Sequence, residues 1–436
     1  MTQHRKKILV KGPALSRSGY GEQTRFALRA LKTREDIFDI YLINIPWGKT
    51  GFIISDDEER SWLDSLLMKT QVYAGESEGQ PIFDISLQVT IPNEWERIAK
   101  INIGYTAGIE TTKVSPIWIG KGMDMNKIVV VSNHSKQVYE TSTCVATNQD
   151  TGEVTEDFHC ETPITAVNYP VRDFEPEEVS GFKLDFDFNY LAVAQWGPRK
   201  NIVNTINWFV HEFKDEEVGL ILKTNIANDS LVDRYVSEAQ LQNTLREHGE
   251  YKCKVYLLHG TLTDGQMTWL YKHDKIKVMV SLTHGEGFGL PLFEAAYNGL
   301  PIICPVWSGQ ADFVCAPNKK YKIRPMVAKV DYTMQKVSPE AVWDGVIQED
   351  AMWCVPVEGS YKRQLREVRK NYDRFKAMAK RLEKHIRKNF KEEEIYEDFL
   401  KAMWPADAWG VYMSYENSTD FQVEEWLQGL EIEAHE

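Results

Sequence analysis

The stretch Ser281-Leu-Thr-His-Gly-Glu-Gly-Phe-Gly-Leu-Pro-Leu-Phe-Glu-Ala-Ala-Tyr-Asn-Gly-Leu-Pro301 decides the fold. Before it, residues 275–281 alternate and are rich in β-branched side chains, the pattern of a buried strand. After it, Pro291 has the φ of a first helical turn, Leu292, Phe293, Ala295 and Ala296 continue a helix, and Gly299 ends it. Between strand and helix lies a glycine-rich loop. Glycines let backbone approach a ligand, and a helix start offers unpaired N–H groups and a positive dipole end, so the arrangement suits an anion such as a diphosphate. Glu286 and Glu294 frame the loop. A carboxylate in the first turn of a helix, where Glu294 is expected, complements the dipole or accepts hydrogen bonds from a ribose diol. Glu286 lies on the loop, where no helix requires it.

Glu286-Gly-Phe-Gly-Leu-Pro-Leu-Phe-Glu294-Ala, followed by Gly299-Leu-Pro301 and Ser308-Gly309, resembles the donor-site signature of family 4 glycosyltransferases of GT-B fold. The resemblance spans roughly residues 8–403; it is specific around 281–310, fair around 190–205 and loose elsewhere. It implies two Rossmann-like, doubly wound α/β domains facing a cleft, with a last helix crossing back to the first domain. It further implies a retaining hexosyl- or pentosyltransferase that moves a sugar from a nucleoside-diphosphate sugar to an acceptor hydroxyl. Glu286 would then act at the donor sugar, Glu294 at the ribose, and Gly287, Phe288, Gly289 and Leu290 at the diphosphate.

Length and composition agree. A chain of 436 residues suits two domains, and 43% hydrophobic with 26% charged residues is a globular balance. The expected divisions are an acceptor domain over 1–172, a linker over 173–187, a donor domain over 188–390, and a crossover helix with an acidic extension over 391–436. No apolar run reaches the ~18 residues of a membrane span, the amino terminus is unlike a signal peptide, and a cytoplasmic location is expected. Six scattered cysteines without CxxC spacing give neither a disulfide framework nor a zinc site, although Cys144 and Cys160 flank a hairpin-like insertion. No Asp-x-Asp pair is placed to hold a metal on phosphate. Metal independence and the absence of any cofactor are therefore expected, with the nucleotide sugar as substrate.

The same strand–loop–helix grammar opens both halves. Residues 7–10 are a strand, 11–21 a loop with Gly19, Tyr20 and Gly21, and 22–31 a helix. The resemblance brings Gly19 and Gly21 toward the donor and Tyr20 toward the acceptor side. After the strand at 101–106 many family members carry a histidine; here Glu110 is the nearest polar residue for a cleft role, or else a capping or surface carboxylate. In the second half, a strand over 188–194 leads to Arg199 and Lys200, two cations at a strand–helix junction suited to a leaving diphosphate. The family's lysine position fits Lys200. Its arginine position falls on Gln195 or Trp196, so Arg199 stands in as the substitute. Gly260 and Thr261, at the end of the 254–260 strand, are expected near the nucleotide base.

Net charge is −13, yet residues 361–391 hold thirteen Lys and Arg against three acidic residues. Leu365, Val368, Tyr372, Phe375, Ala379, Leu382 and Ile386 alternate at steps of three and four, so an amphipathic helix with cationic outer faces is expected. It is either a solvated face of the second domain or a surface for an anionic partner, DNA or acidic lipid. The acceptor stays open among glycan, lipid carrier, protein and hydroxylated DNA base. A GT-B phosphorylase or epimerase is the alternative enzyme, and a non-catalytic sugar- or polyanion-binding protein the alternative without chemistry.

Overall fold

A computed structural model describes residues 5–147, 152–317, 320 and 322–403. The acidic extension beyond 403 lies outside the described residues. The first half contains β1 Lys6–Gly12, α1 Gly19–Lys32, β2 Phe38–Asn44, α2 Glu58–Glu76, β3 Ile85–Val89, β4 Ile101–Thr106, α3 Pro116–Gly122, β5 Lys127–Val130, α4 Asn133–Thr141, β6 Cys144–Thr147, β7 Val154–Phe158 and β8 Ile164–Ala166. Its main sheet is parallel in the order β2-β1-β3-β4-β5-β8. β6 and β7 form the inserted hairpin, and Cys144 and Cys160 are both free.

The second half contains β9 Asn189–Val193, α5 Ile202–Phe213, β10 Gly219–Lys223, α6 Leu231–Leu245, β11 Lys254–Leu258, α7 Asp264–Lys272, β12 Ile276–Val280, α8 Leu290–Tyr297, β13 Ile302–Cys304, α9 Ala311–Val314, β14 Cys315–Pro317, β15 Ile323–Pro325, β16 Ala328–Lys329, β17 Tyr332–Lys336, β18 Met352–Pro356, α10 Glu358–Lys370, α11 Tyr372–Asn389 and α12 Glu392–Met403. Its main sheet is also parallel, in the order β11-β10-β9-β12-β13-β16. β3 is buried along its whole length, Ser86 and Gln88 included, and β12 at every residue but Lys277.

Each sheet has a point where the winding reverses, between β1 and β3 in the first and between β9 and β12 in the second. In open α/β sheets the ligand crevice lies outside the carboxyl ends of the strands at such a point. The loops after β1, β4, β9 and β12 all line one cleft of about 1430 Å³. That exceeds the about 300–1,000 Å³ of an ordinary small-molecule site and leaves room for two substrates.

Caps follow the chemistry of their residues. Thr263 and Gln266 form a capping box at α7, and Ser132 accepts the Ser135 N–H at α4. The last helix crosses back: Phe399 of α12 lies 5.1 Å from both Phe26 and Tyr105 of the first domain. Arg29 donates to the Tyr396 hydroxyl at 3.2 Å.

The basic segment departs from expectation. It is two helices, α10 and α11, separated at Asn371, whose backbone (φ −117°, ψ 40°) interrupts the helical course. The apolar seam is buried as read, except that Tyr372 is only half-buried. Many of the cations serve the protein itself. Arg366 and Arg369 reach Glu212 and Glu216, Arg363 reaches Asp331 at 3.0 Å, and Arg387 holds Asp173 at 2.9 Å. Lys376, Arg381, Lys384 and Lys388 form no ion pair among the described residues. No helix among those residues is long and apolar enough to cross a membrane.

Candidate active site

The floor of the cleft is an ionic cluster built from three loops. After β9 the chain makes a 3-10 turn over Pro198–Lys200, which Asn201 ends in the left-handed region at φ 55° while its side chain donates to the Leu282 carbonyl at 3.2 Å. That turn presents Arg199 and Lys200. Lys200 Nζ lies 2.5 and 2.7 Å from the two carboxylate oxygens of Glu286. Arg199 Nη1 donates to the same carboxylate at 3.2 Å and to the Gly285 carbonyl at 2.7 Å. From the first domain Glu110 completes the cluster, 3.4 Å from Arg199 Nη2. Two cations thus face two carboxylates, all four side chains mostly buried at the wall of the cleft. Burial alone would raise the Glu286 carboxyl, but Lys200 and Arg199 outweigh it and hold the group at about 2. Glu110 is pushed up by burial, against the pull of Arg199, with Glu286 adding to the rise.

The Glu286 loop is held from behind. Ser308 takes φ 63°, an uncommon conformation for a non-glycine residue. Its hydroxyl accepts the Glu286 N–H at 2.9 Å and lies 3.0 Å from Gln310 Oε1. Gly289 caps α8 at φ 97°, a conformation that favours glycine, and the helix start at Leu290 and Pro291 lines the cleft, with Leu290 bringing the one N–H of that pair.

Gly287 lines the cleft and has a further use. A Cβ there would sit 1.9 Å from the Ala107 carbonyl oxygen of the facing domain, so the missing side chain lets the two domains' loops touch. Phe288 packs in an aromatic cluster with Tyr169, Phe293 and Phe313 and shows only an edge to the cleft.

Glu294 lies one turn further along α8 than anticipated, because the helix starts at Leu290 and no acidic residue occupies its first turn. Its carboxyl accepts the Tyr271 hydroxyl at 2.8 Å and lines the cleft. Burial raises it to about 7, with Asp264 and Glu22 adding to the rise and the Tyr271 hydrogen bond opposing it. Tyr271 and Asp264 carried no motif; a tyrosine at helical spacing inside α7 reads as core, and only the tertiary contact reveals its task.

Gly19 lines the cleft with open space around it. Gly21 does not line it: a Cβ there would meet the Ser16 carbonyl at 2.0 Å, so this glycine serves the packing of α1 on its own loop. The Tyr20 ring lines the cleft beside Trp47, centroids 4.4 Å apart. Its hydroxyl is committed, 2.7 Å from Thr106 Oγ1 and accepting the N–H groups of Ala107 and Gly108 at 3.3 and 3.1 Å. Tyr20 therefore fixes the loop that carries Glu110.

Gly260 and Thr261 also lie outside the cleft lining. The Gly260 carbonyl accepts Lys223 Nζ at 2.8 Å and Thr261 donates to Asp229 at 2.7 Å, so the β11 loop turns those groups toward β10. Leu262, Thr263 and Asp264 line the cleft in their place. Among the described residues no group of three or more His, Cys, Asp or Glu side chains is arranged to hold a metal ion.

Two six-stranded parallel sheets meeting at their carboxyl ends define the class of fold, GT-B. Comparison with known proteins agrees. Residues 238–398 match the model described as "Family 4 Glycosyltransferase in conflict systems". A stretch of 118 residues is 30% identical to the serotype-specific mannosyltransferase WbdA of Escherichia coli; it makes up 26% of this chain and spans only 13% of that relative's length.

Sucrose-phosphate synthase of Thermosynechococcus elongatus superposes with a TM-score of 0.56 at 12% identity, over 91% of this chain and 98% of its own. A glycosyltransferase from Rickettsia africae gives 0.51 at 13%, over 95% and 100%. An E. coli trehalose-6-phosphate protein solved with UDP-2-fluoro glucose gives 0.51 at 9%, over 91% and 98%. The fold is that of GT-B proteins, and residues 238–398 are similar to family 4 glycosyltransferases.

Proposed function

We propose that the protein transfers a sugar from a nucleoside-diphosphate sugar to an acceptor hydroxyl with retention of configuration, using its own cations rather than a metal on the diphosphate. The observation that carries this is the Glu110–Arg199–Glu286–Lys200 cluster at the floor of the cleft, beside the start of α8. Lys200 spends two contacts on Glu286 and keeps donor capacity for a phosphate oxygen. As the bond between the anomeric carbon and the diphosphate breaks, negative charge grows on the leaving oxygen. Fixed donors in a water-poor cleft stabilise that charge without reorganising. In this reading Glu286 orients the donor sugar and Glu294 takes the ribose diol. The acceptor oxygen bonds to the anomeric carbon and its proton leaves with the diphosphate.

The UDP-sugar of the E. coli structural neighbour and the mannose chemistry of the WbdA relative set the order of a donor screen. UDP-sugars and nucleotide-activated mannose come first. Release of nucleoside diphosphate by water alone is the assay, since it needs no acceptor. Turnover of at least one nucleotide sugar, lowered by roughly 10²–10³ in Lys200→Ala, is the expected result. No hydrolysis and no binding across the screen would reject the reading.

A further inference from the structure

The segment between β16 and α10 is an arm with its own framework. β17 and β18 pair antiparallel from Tyr332–Pro356 to Lys336–Met352, and the tip is folded back by a bridge between Trp343 and Ile347. At its root the Cys354 N–H donates to the His284 carbonyl at 3.0 Å, and Trp353 stacks on the His284 ring at 4.5 Å, so the arm springs from beside the Glu286 loop. At its tip it attaches to the opposite domain. Asn93 donates to the Gly345 carbonyl at 3.1 Å, and Thr112 and Met352 exchange two hydrogen bonds of 2.9 Å. Lys113 pairs with Asp350, and Val346 is buried in the first domain's cluster with Trp118 and Ile119.

One side chain of this anchored tip is left out. Trp343 is 58% exposed although its neighbours are tied down, and its ring has no aromatic or cationic partner among the described residues. It lines the cleft together with Ile91, Ile347, Glu94 and Lys11. The short turn Pro339–Ala341 of the arm packs on Pro198–Lys200, so this wall flanks the Arg199–Glu286 end of the cleft and not α7, where Tyr271 holds Glu294. A flat apolar face in a cleft that is also lined by a carboxylate and an ammonium meets the needs of a sugar ring, whose C–H face lies on an indole while its hydroxyls bond to charged heads. A net charge of −13 disfavours a nucleic-acid strand in the same place.

We propose that Trp343, presented by the β17–β18 arm, is the platform of the acceptor subsite, and that the acceptor offers a neutral pyranose ring there. The inference rests on the glycosyl-transfer reading, and its test separates the two. Donor hydrolysis by the unaltered protein tests the transfer reading alone. Saturation-transfer NMR of the full chain with UDP present, against methyl α- and β-pyranosides of glucose, galactose, mannose and N-acetylglucosamine, with adenosine alongside, tests the subsite. At least one pyranoside is expected to bind. Its affinity is expected to fall about tenfold or more in Trp343→Ala and to recover largely in Trp343→Phe, both variants having unaltered melting curves. Binding of none of the pyranosides, equal binding by Trp343→Ala, no recovery in Trp343→Phe, or adenosine in their place would overturn the subsite even if donor hydrolysis is observed.

Discussion

Lys200 grips both oxygens of Glu286 across 86 positions of sequence, at 2.5 and 2.7 Å. The contact joins the loop after β9 to the loop after β12, the two edges of the point where the sheet's winding reverses. The contact is in place without any ligand.

Removing Lys200 is therefore expected to have two separable effects. Turnover should fall by roughly 10²–10³, the cost of losing one fixed donor to developing charge. Stability should also fall, because Glu286 is left buried with only Arg199 at 3.2 Å. Breaking a buried pair costs about 3–5 kcal/mol, and the surviving arginine places this case at the low end. Denaturant melts should show Lys200→Met destabilised and the double variant Lys200→Met, Glu286→Gln partly restored. If both are equally unstable, the pair is not the structural unit described here.

Glu294 is expected to make nucleoside-diphosphate binding pH-dependent. Its carboxyl titrates at about 7 in the folded protein against an ordinary 4.5. Between those values the folded state holds the proton and the unfolded state does not. The stability contributed by the protonated group is thus complete below 4.5 and lost as pH rises through 7. After discounting for partial exposure this is about 1–2 kcal/mol. Affinity for a nucleoside diphosphate should run the other way, strengthening above pH 7 where the ionised carboxylate accepts both ribose hydroxyls. Calorimetric titration from pH 5.5 to 8.5 should show that inflection in the native chain and none in Glu294→Gln.

The strand–loop–helix pattern around 276–297 was legible because its signals are local: β-branched alternation, glycines, then a proline at the helix start. Lys200 and Glu286 were readable for the same reason, each lying at a junction with a characteristic composition. What composition hides is partnership. Gly21 and Gly287 look alike in sequence, yet one accommodates Ser16 of its own loop and the other a carbonyl of the facing domain. Tyr271 reads as core until its hydroxyl is seen on Glu294. The cationic seam after 361 looked like one helix because Asn371 carries no strong breaking signal, and its charges looked idle because Glu212, Glu216 and Asp331 are distant in the chain.

The arm's grip on the first domain should control closure of the cleft. Val346→Asp places a charge in the cluster around Trp118, and a buried unpaired carboxylate is costly enough to drive the tip out. Small-angle scattering should then report a larger radius of gyration, and limited proteolysis should cut between 338 and 350. An unchanged radius with intact folding would show that the arm is not what holds the two domains together.

Two glycines of the cleft should behave oppositely when given a methyl group. Gly19 has nothing within 4 Å of a built Cβ, so Gly19→Ala should leave melting and domain spacing unchanged. Gly287→Ala would place its Cβ 1.9 Å from the Ala107 oxygen, and Tyr20 and the β4 backbone fix that carbonyl's loop. Backbone cannot yield as a flexible side chain does, so the facing loops must separate by more than an ångström to restore van der Waals contact. That displacement would pull Glu110 from Arg199, already at 3.4 Å, and open the floor of the cleft. Misplacement of that size is enough to cost about 10²-fold in rate. Gly287→Ala should therefore keep its fold while losing most donor turnover, and a crystal structure or scattering curve should show the two domains further apart. Equal activity in both alanine variants would mean that contact between the facing loops is dispensable, and that the open form is the working one.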